Sequence, residues 1–186
     1  MLVRMDLDWS PMQVPLRIAI LSDTHAYLDS NVAALIKHCA GVVHAGDIGA
    51  DSVLEKIRKY AMPLAMVRGN NDIASKWPST GAAALASLAD VAQVLLPGGM
   101  LAITHGHRSK PVKQRHALLR AQFPAARAIV YGHSHRLCCD LGESPWVLNP
   151  GAAGRARTFG GPSALVLSID AQLQWSVSEH RFARSP

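Results

Sequence analysis

The sequence predicts an α/β domain with a functional site at the carboxyl ends of its strands. Continuous apolar runs of strand length alternate with helical patterns in the first half of the chain. Five short polar clusters each follow an apolar run directly: D-T-H at 23–25, G-D at 46–47, G-N-N-D at 69–72, H-G-H at 105–107 and G-H-S-H at 132–135. Open α/β sheets bind ligands just beyond the strand carboxyl ends, so the clusters indicate one shared site.

The strands are predicted from eight apolar runs. The early runs do not alternate with polar residues, as the strands of a sheet with one solvent-exposed face would, and this indicates strands covered on both faces. These runs lie at 16–21, 42–43 with flanking residues, 64–67, 101–103 and 128–131. Later runs lie at 146–148, 164–169 and 173–177, and the last two, joined by D-A-Q at 170–172, predict a hairpin.

Helices are predicted between the early strands. Asp29 or Ser30 can cap a helix whose apolar face carries Val32, Leu35 and Ile36. Asp51 or Ser52 can cap a second helix with Val53, Leu54 and Ile57 on its apolar face. A third helix is predicted over 82–88 and a fourth over 112–121, before Pro124.

Composition indicates one folded domain. With 186 residues, 49% hydrophobic and 17% charged, the chain is long enough for one buried core and is not of disordered type. We expect a domain over 16–180, a tail or surface-docked extension over 1–15, and a tail over 181–186. No apolar run approaches the ~20 residues of a membrane span, and residues 1–15 lack a signal-peptide centre, which predicts a cytoplasmic protein without a membrane partner.

Cysteine usage and charge restrict the kind of protein that the sequence can encode. The three cysteines, Cys39, Cys138 and Cys139, are odd in number and lack C-x-x-C spacing, which argues against a disulfide framework. For the adjacent pair Cys138 and Cys139, packing on a strand is favoured over metal ligation. The formal charge of +6 favours anionic partners. With only 5% aromatic residues, a stacking platform for single-stranded nucleic acid is not indicated, although a nucleic-acid partner stays open.

The residue types in the clusters favour metal chemistry. Asp, Asn and His bind hard or borderline divalent ions, and an extended D-x-H or H-x-H segment sends both side chains to one side. The candidate ligands number seven, too many for one tetrahedral ion but suited to two ions that share a carboxylate: Asp23, His25, Asp47, Asn70, His105, His133 and His135. A two-metal hydrolase is therefore predicted.

The order D-x-H, G-D, G-N-x-D, H-G-H, G-H-x-H resembles the calcineurin-like metallophosphoesterase superfamily. V-R-G-N at 67–70, T-H-G-H at 104–107 and N-P-G at 149–151 resemble its small prokaryotic YfcE-type phosphodiesterase branch. The resemblance spans residues 16–177 and implies a β-sandwich of mixed sheets flanked by helices. It also implies two divalent ions bridged by Asp47, one held with Asp23, His25 and His135 and the other with Asn70, His105 and His133. Mn²⁺ is the first choice, and Fe, Zn, Co or Ni suit the same ligands.

The implied activity is hydrolysis of small phosphodiesters by a metal-bridging hydroxide. A phosphomonoesterase or nuclease using the same site is the alternative. A non-catalytic scaffold, as in the retromer subunit of this fold, is a third reading that the intact ligand set argues against. A homo-oligomer stays open.

Further residues around the clusters are assigned helper roles. Asn70, Asp72 and His107 are the catalytic candidates; Asp72 either holds His105 or another ligand in its tautomer or caps its own turn, and His107 either contacts substrate or packs nearby. Asn71, Arg155 and Arg157 are the substrate-binding candidates. Many superfamily members carry His where Asn71 stands, and Asn cannot donate a proton, so esters with good leaving groups are favoured. His44 is expected to be structural, and His38, His116 and His180 to be ordinary surface histidines.

Overall fold

The computed structural model describes residues 2–183, which form two sheets packed face to face with four α-helices on their outer faces. The elements run in the order β1 (Arg4–Asp8), β2 (Leu16–Leu21), α1 (Ser30–Ile36), β3 (Gly41–His44), α2 (Asp51–Arg58), β4 (Leu64–Met66), α3 (Ala82–Ala86), β5 (Val91–Leu96), β6 (Gly99–Thr104), α4 (Arg115–Gln122), β7 (Ala128–Val130), β8 (Leu137–Asp140), β9 (Trp146–Pro150), β10 (Ser163–Ile169) and β11 (Trp175–Arg181).

Both sheets are mixed. The six-stranded sheet has the order β1-β5-β6-β7-β9-β8, and the five-stranded sheet has the order β11-β10-β2-β3-β4. β2, β3 and β4 are mutually parallel, as are β6, β7 and β9. Parallel strands end at the same edge of a sheet, so each sheet delivers several loops to one edge.

Strand alternation explains why the early apolar runs are continuous. In β2, Ile18 and Ile20 face the core between the sheets, while Ala19 and Leu21 face the outer layer of α1 and α2. On the six-stranded sheet, Ile129 of β7 faces the outer layer in which Leu119 of α4 is buried. The sandwich with flanking helices that the resemblance implies is thus confirmed.

The N-terminal segment is part of the domain. Residues 4–8 form β1, which pairs in parallel with β5, and Trp9 is buried in the core between the sheets. Of the two expectations for residues 1–15, a tail or a surface-docked extension, the structure favours the extension, because Met5 and Leu7 alternate with charged residues along β1 and pack on the core. At the other end, Arg181 closes β11, and residues 184–186 lie outside the described part of the chain.

Helix capping agrees with the sequence at one of two helices. Asp29 is the N-cap of α1, and its side chain accepts a hydrogen bond of 2.9 Å from the Asn31 N–H. α2 begins instead after Ala50 without a side-chain cap, and Asp51 is its first helical residue. β5 is a strand that the sequence did not predict, whereas β8 is the strand on which Cys138 and Cys139 were expected to lie. β10 and β11 form the expected hairpin. No helix within residues 2–183 has the length and apolarity required to cross a membrane.

Candidate metal centre

The seven predicted ligands meet at one edge of the sandwich. Asp23 and His25 follow β2, Asp47 follows β3 and Asn70 follows β4, all in the five-stranded sheet. The other three, His105, His133 and His135, follow β6 and β7 in the six-stranded sheet. The centre is therefore shared by both sheets.

The ligand atoms form two adjoining groups. In the first, His135 Nε2 lies 3.2 Å from Asp23 Oδ1 and 3.2 Å from His25 Nε2. In the second, His105 Nε2 lies 3.4 Å from Asp47 Oδ2 and 3.1 Å from Asn70 Oδ1.

His133 Nδ1 completes the second group at 2.9 Å from Asn70 Oδ1. Asp47 Oδ2 is also 3.8 Å from His25 Nε2 in the first group. The same carboxylate oxygen therefore stands between the two groups.

Protons are directed away from these groups. His105 Nδ1 lies 2.8 Å from the Ala45 carbonyl and His135 Nδ1 lies 3.0 Å from the Ala156 carbonyl. A carbonyl only accepts, so Nδ1 of each ring carries a proton, and the tautomer with its proton on Nδ1 presents the Nε2 lone pair to the centre. Asp23 Oδ1 is buried without a hydrogen-bond partner. Lone pairs that face one another in this way fit a bound cation, and the Asp, Asn and His donors suit a divalent metal.

The electrostatics of the centre attract positive charge. Burial alone raises the pKa of Asp47, but in the metal-free site the interaction with the nearby His105 ring and the hydrogen bonds from Asn71 outweigh it and hold that pKa far below its usual value. Burial lowers the pKa of His105, but the Asp47 and Asp23 carboxylates outweigh it and raise that pKa. The site therefore stabilises anionic carboxylates.

Five of the seven candidate ligands have a left-handed backbone. The φ angles are +55° at Asp23, +46° at His25, +54° at Asp47, +66° at His133 and +56° at His135. The extended backbone expected for D-x-H and H-x-H is therefore wrong, because sharp turns bring the side chains together. Each such non-glycine residue costs on the order of 1–3 kcal/mol, so the rest of the fold must hold the ligands in place.

Two glycines allow the loops to approach the carboxylates. A Cβ on Gly69 would lie 2.1 Å from Asp47 Oδ1, and a Cβ on Gly132 would lie 1.9 Å from Ser22 Oγ. Ser22 itself donates a 2.7 Å hydrogen bond to Asp23 Oδ2. Any side chain at these two positions would displace the loops that carry the ligands.

Asp72 fixes the turns around the centre and does not touch His105. Its carboxylate accepts hydrogen bonds from the N–H groups of Ile48 (3.1 Å), Gly49 (2.9 Å) and Gly69 (2.9 Å) and from Trp77 Nε1 (2.8 Å). The alternative in which Asp72 orients His105 is wrong, because the Ala45 carbonyl takes that place. Asp72 is a positioning residue for the loops that carry Asp47 and Asn70.

His44 lies behind the centre, as expected from the sequence. Its Nδ1 accepts from the Gly46 N–H at 3.2 Å, and its Nε2 lies 3.0 Å from Thr24 Oγ1, which in turn donates to the Ile48 carbonyl. Burial lowers the pKa of His44 to about 4. The ring is therefore a neutral link between the loops after β2 and β3.

His107 faces the histidines of the centre. Its ring centroid lies 5.5 Å from that of His105 and 6.2 Å from that of His133, and its Nδ1 is buried without a partner. Burial lowers its pKa to about 4, so the ring is neutral near pH 7.

The three substrate-binding candidates occupy different positions. Asn71 donates to both oxygens of Asp47, from its backbone N–H at 2.7 Å and from Nδ2 at 2.6 Å. Arg157 places a guanidinium nitrogen 3.0 Å from His135 Nε2, within the first ligand group. Arg155 instead stacks 3.7 Å over the Tyr27 ring and does not join the ligands.

His116 is a residue that sequence reasoning missed. It is not an ordinary surface histidine: Nδ1 lies 2.7 Å from Asp140 Oδ2 and Nε2 lies 3.1 Å from the Tyr131 hydroxyl. Tyr131 directly precedes the 132–135 cluster, so this network supports the loop that carries His133 and His135. No local pattern marks it, because Asp140 is 24 residues from His116.

Comparison with known proteins identifies the family. The model of the calcineurin-like phosphoesterase superfamily domain matches residues 16–172. The chain belongs to this superfamily. A probable metallophosphoesterase of Bacillus subtilis strain 168, YsnB, is 26% identical over 162 residues, which cover 83% of this chain and 85% of that protein. The superfamily implies divalent metal ions, in agreement with the converging lone pairs.

Solved structures share the fold at lower identity. Vps29 of Entamoeba histolytica in complex with Zn²⁺ has a TM-score of 0.66 at 15% identity, over 90% of this chain and 100% of that one. An archaeal phosphodiesterase has a TM-score of 0.60 at 18% identity, over 89% of this chain and 100% of that one.

Proposed function

We propose that this protein is a metal-dependent phosphoesterase that hydrolyses small phosphodiesters. One divalent ion would be held by Asp23, His25, Asp47 and His135, and a second by Asp47, Asn70, His105 and His133. The observation that carries the proposal is that the two groups of candidate ligands meet at Asp47 Oδ2, beside the buried and unpartnered Asp23 Oδ1. Mn²⁺ is the first choice, because the donors are nitrogen and oxygen atoms without a thiolate.

When bound, the metal ions would supply positive charge that polarises phosphate oxygens and lowers the pKa of water at the centre. The chain contributes orientation and charge. Ser22 binds Asp23 Oδ2 and leaves Asp23 Oδ1 directed at the centre. Asn71 binds both oxygens of Asp47 and holds that carboxylate between the two groups. His107 is neutral and can donate a hydrogen bond to a phosphate oxygen, and the Arg157 guanidinium is close enough to the centre to bind the same group.

The diester preference is inferred from Asn71. Its amide is bonded to Asp47 and has no proton to give a leaving group. Esters with good leaving groups, and diesters rather than alkyl monoesters, are therefore the expected substrates. Vps29 among the structural neighbours shows that the fold also exists outside proteins called phosphoesterases. The Asp and His side chains that could hold a metal ion, Asp23, His25 and His135 on one side and Asp23, Asp47 and His105 on the other, favour hydrolysis in this chain.

A metal-by-substrate panel tests the proposal. Protein stripped with EDTA is reloaded with Mn²⁺, Zn²⁺ or Mg²⁺ and given bis(p-nitrophenyl) phosphate, p-nitrophenyl phosphate or a cyclic nucleotide. We expect turnover only with metal and faster turnover of the diesters; a preference for the monoester would favour the phosphomonoesterase alternative.

Asp47→Ala should abolish metal-dependent turnover while circular dichroism stays unchanged, and Asp6→Ala on the exposed face of β1 is the matched control. Retained turnover in Asp47→Ala would contradict the shared-carboxylate centre. Absence of hydrolysis in the wild type with every metal would leave only the scaffold role.

A further inference from the structure

The turn after β4 places a cation beside the amide that binds Asp47. Asn71 Nδ2 donates to Asp47 Oδ2 at 2.6 Å, so Asn71 Oδ1 points away from the carboxylate. That oxygen accepts a hydrogen bond from Lys76 Nζ. A chain of two hydrogen bonds thus joins the Lys76 ammonium to the carboxylate between the two ligand groups.

The backbone of Lys76 is held on both sides. Its N–H donates to the Ile73 carbonyl at 2.9 Å, and the N–H of Trp77 donates to the same carbonyl at 3.2 Å. The Trp77 indole is in turn anchored to the buried Asp72 carboxylate at 2.8 Å. Lys76 therefore projects from a short anchored turn, although its side chain is exposed to solvent.

The Lys76 ammonium is available to a substrate. Among the ion pairs of residues 2–183 none involves Lys76, and its hydrogen bond to Asn71 uses one of three ammonium protons. Arg157, another cation near the centre, lies instead on His135 in the first ligand group. Lys76 is thus a cation that contacts the Asp47–Asn71 side of the centre.

We propose that Lys76 stabilises the leaving group of the ester. This inference rests on the proposed phosphoesterase function and deepens it. As a hydroxide oxygen bonds to phosphorus, the bond from phosphorus to the leaving oxygen breaks, and that oxygen keeps the electron pair. The ammonium donates a hydrogen bond to this oxygen and, for basic leaving groups, gives it a proton that solvent water then restores. Asn71 cannot provide this proton, and it holds the ammonium in place through Oδ1.

The consequence is a wider range of leaving groups than Asn71 alone would permit. A hydrogen bond or proton at the leaving oxygen matters most where the departing anion is most basic. Substrates with poorly activated alcohols or phenols should therefore depend on Lys76, whereas a nitrophenyl ester should not.

A leaving-group series tests this role with the metal-loaded full-length protein. The kcat/KM values of methyl aryl phosphodiesters, from the p-nitrophenyl to the unsubstituted phenyl ester, are compared in wild type, Lys76→Met and Lys76→Arg. We expect Lys76→Met to lower kcat/KM about 100-fold for the phenyl ester and less than about 3-fold for the p-nitrophenyl ester. Lys76→Arg keeps the charge and the hydrogen-bond donors but does not give up a proton, so it should recover only part of the loss for the phenyl ester.

Two controls separate the explanations. Lys59→Met removes the same charge at the exposed C-terminal cap of α2 and should leave the whole series unchanged. Calorimetric titration with Mn²⁺ should give Lys76→Met the wild-type metal affinity within about twofold.

Equal loss of kcat/KM across the series, or a tenfold loss of metal affinity, would overturn the proposal, because Lys76 would then act only through Asn71 on Asp47. A wild type without metal-dependent hydrolysis of any ester would refute the phosphoesterase function itself, which is a separate result.

Discussion

Replacing Asp72 with alanine tests how the turns around the metal centre are held. The Asp72 carboxylate is 1% exposed and accepts four hydrogen bonds, three from backbone N–H groups and one from the Trp77 indole. Alanine removes the acceptor and leaves all four donors in place. The donors belong to the loops that carry Asp47 and Asn70, so both stability and metal binding depend on them.

The magnitude follows from the number of donors. A buried donor that loses its partner costs about 1–3 kcal/mol, so the low end for these donors sums to about 4 kcal/mol. Domains of this size have unfolding free energies of about 5–15 kcal/mol, so Asp72→Ala should be marginally folded. Asp72→Asn keeps one carbonyl acceptor and should lose about half as much. Trp77→Phe removes one donor together with its bond and should lose about 1 kcal/mol.

Urea unfolding of the EDTA-treated proteins at pH 7, followed by circular dichroism, measures these differences. The expected order of destabilisation is Asp72→Ala, then Asp72→Asn, then Trp77→Phe, with similar denaturant slopes. An Asp72→Ala protein within 1 kcal/mol of wild type would refute the reasoning. So would a Trp77→Phe protein less stable than Asp72→Asn, because the indole would then matter more than the backbone donors.

Two further predictions concern Arg157 and His44. The Arg157 guanidinium lies 3.0 Å from His135 Nε2, the atom that a metal would bind, so the arginine competes with the metal for that atom. Arg157→Ala should therefore raise the Mn²⁺ affinity measured by calorimetry several-fold, whereas Arg155→Ala, at a residue that stacks on Tyr27, should not. Weaker Mn²⁺ binding by Arg157→Ala would contradict this competition. The folded-state pKa of His44 is about 4, below the unfolded value near 6.5, so the unfolded chain binds the extra proton and stability falls as pH drops through this window. When the pH is lowered from 7 to 4, the unfolding free energy of the metal-free wild type should fall by about 3 kcal/mol more than that of His44→Gln. An equal fall in both proteins would show that His44 does not take up a proton on unfolding.

Much of the fold was accessible from local patterns. Apolar runs identified most strands, because strands covered on both faces need apolar residues at consecutive positions. Asp29 was a correct cap because capping depends on residues a few positions apart. β1 was missed for a related reason: its exposed Arg4, Asp6 and Asp8 resemble a polar tail until pairing with β5 shows which face is buried.

The candidate ligands were likewise identified from sequence, since each follows a strand and parallel strands end at one edge. Their left-handed backbone was not, because it depends on the loops packed around each turn. The structure was also needed to decide whether Asp72 caps its own turn or orients a histidine. Its carboxylate accepts hydrogen bonds from Gly69, three residues away, and from Ile48, 24 residues away.

The sequence by itself determined the order and chemical type of the candidate metal ligands and the family to which they point. Only the tertiary structure decided which nitrogen of His105 faces the centre, because the carbonyl that takes the other proton belongs to Ala45, 60 residues away. It also decided that Asn71 stands between Asp47 and Lys76. Such hydrogen bonds join atoms from loops that are brought together only when the two sheets pack, and no local pattern of residues specifies them.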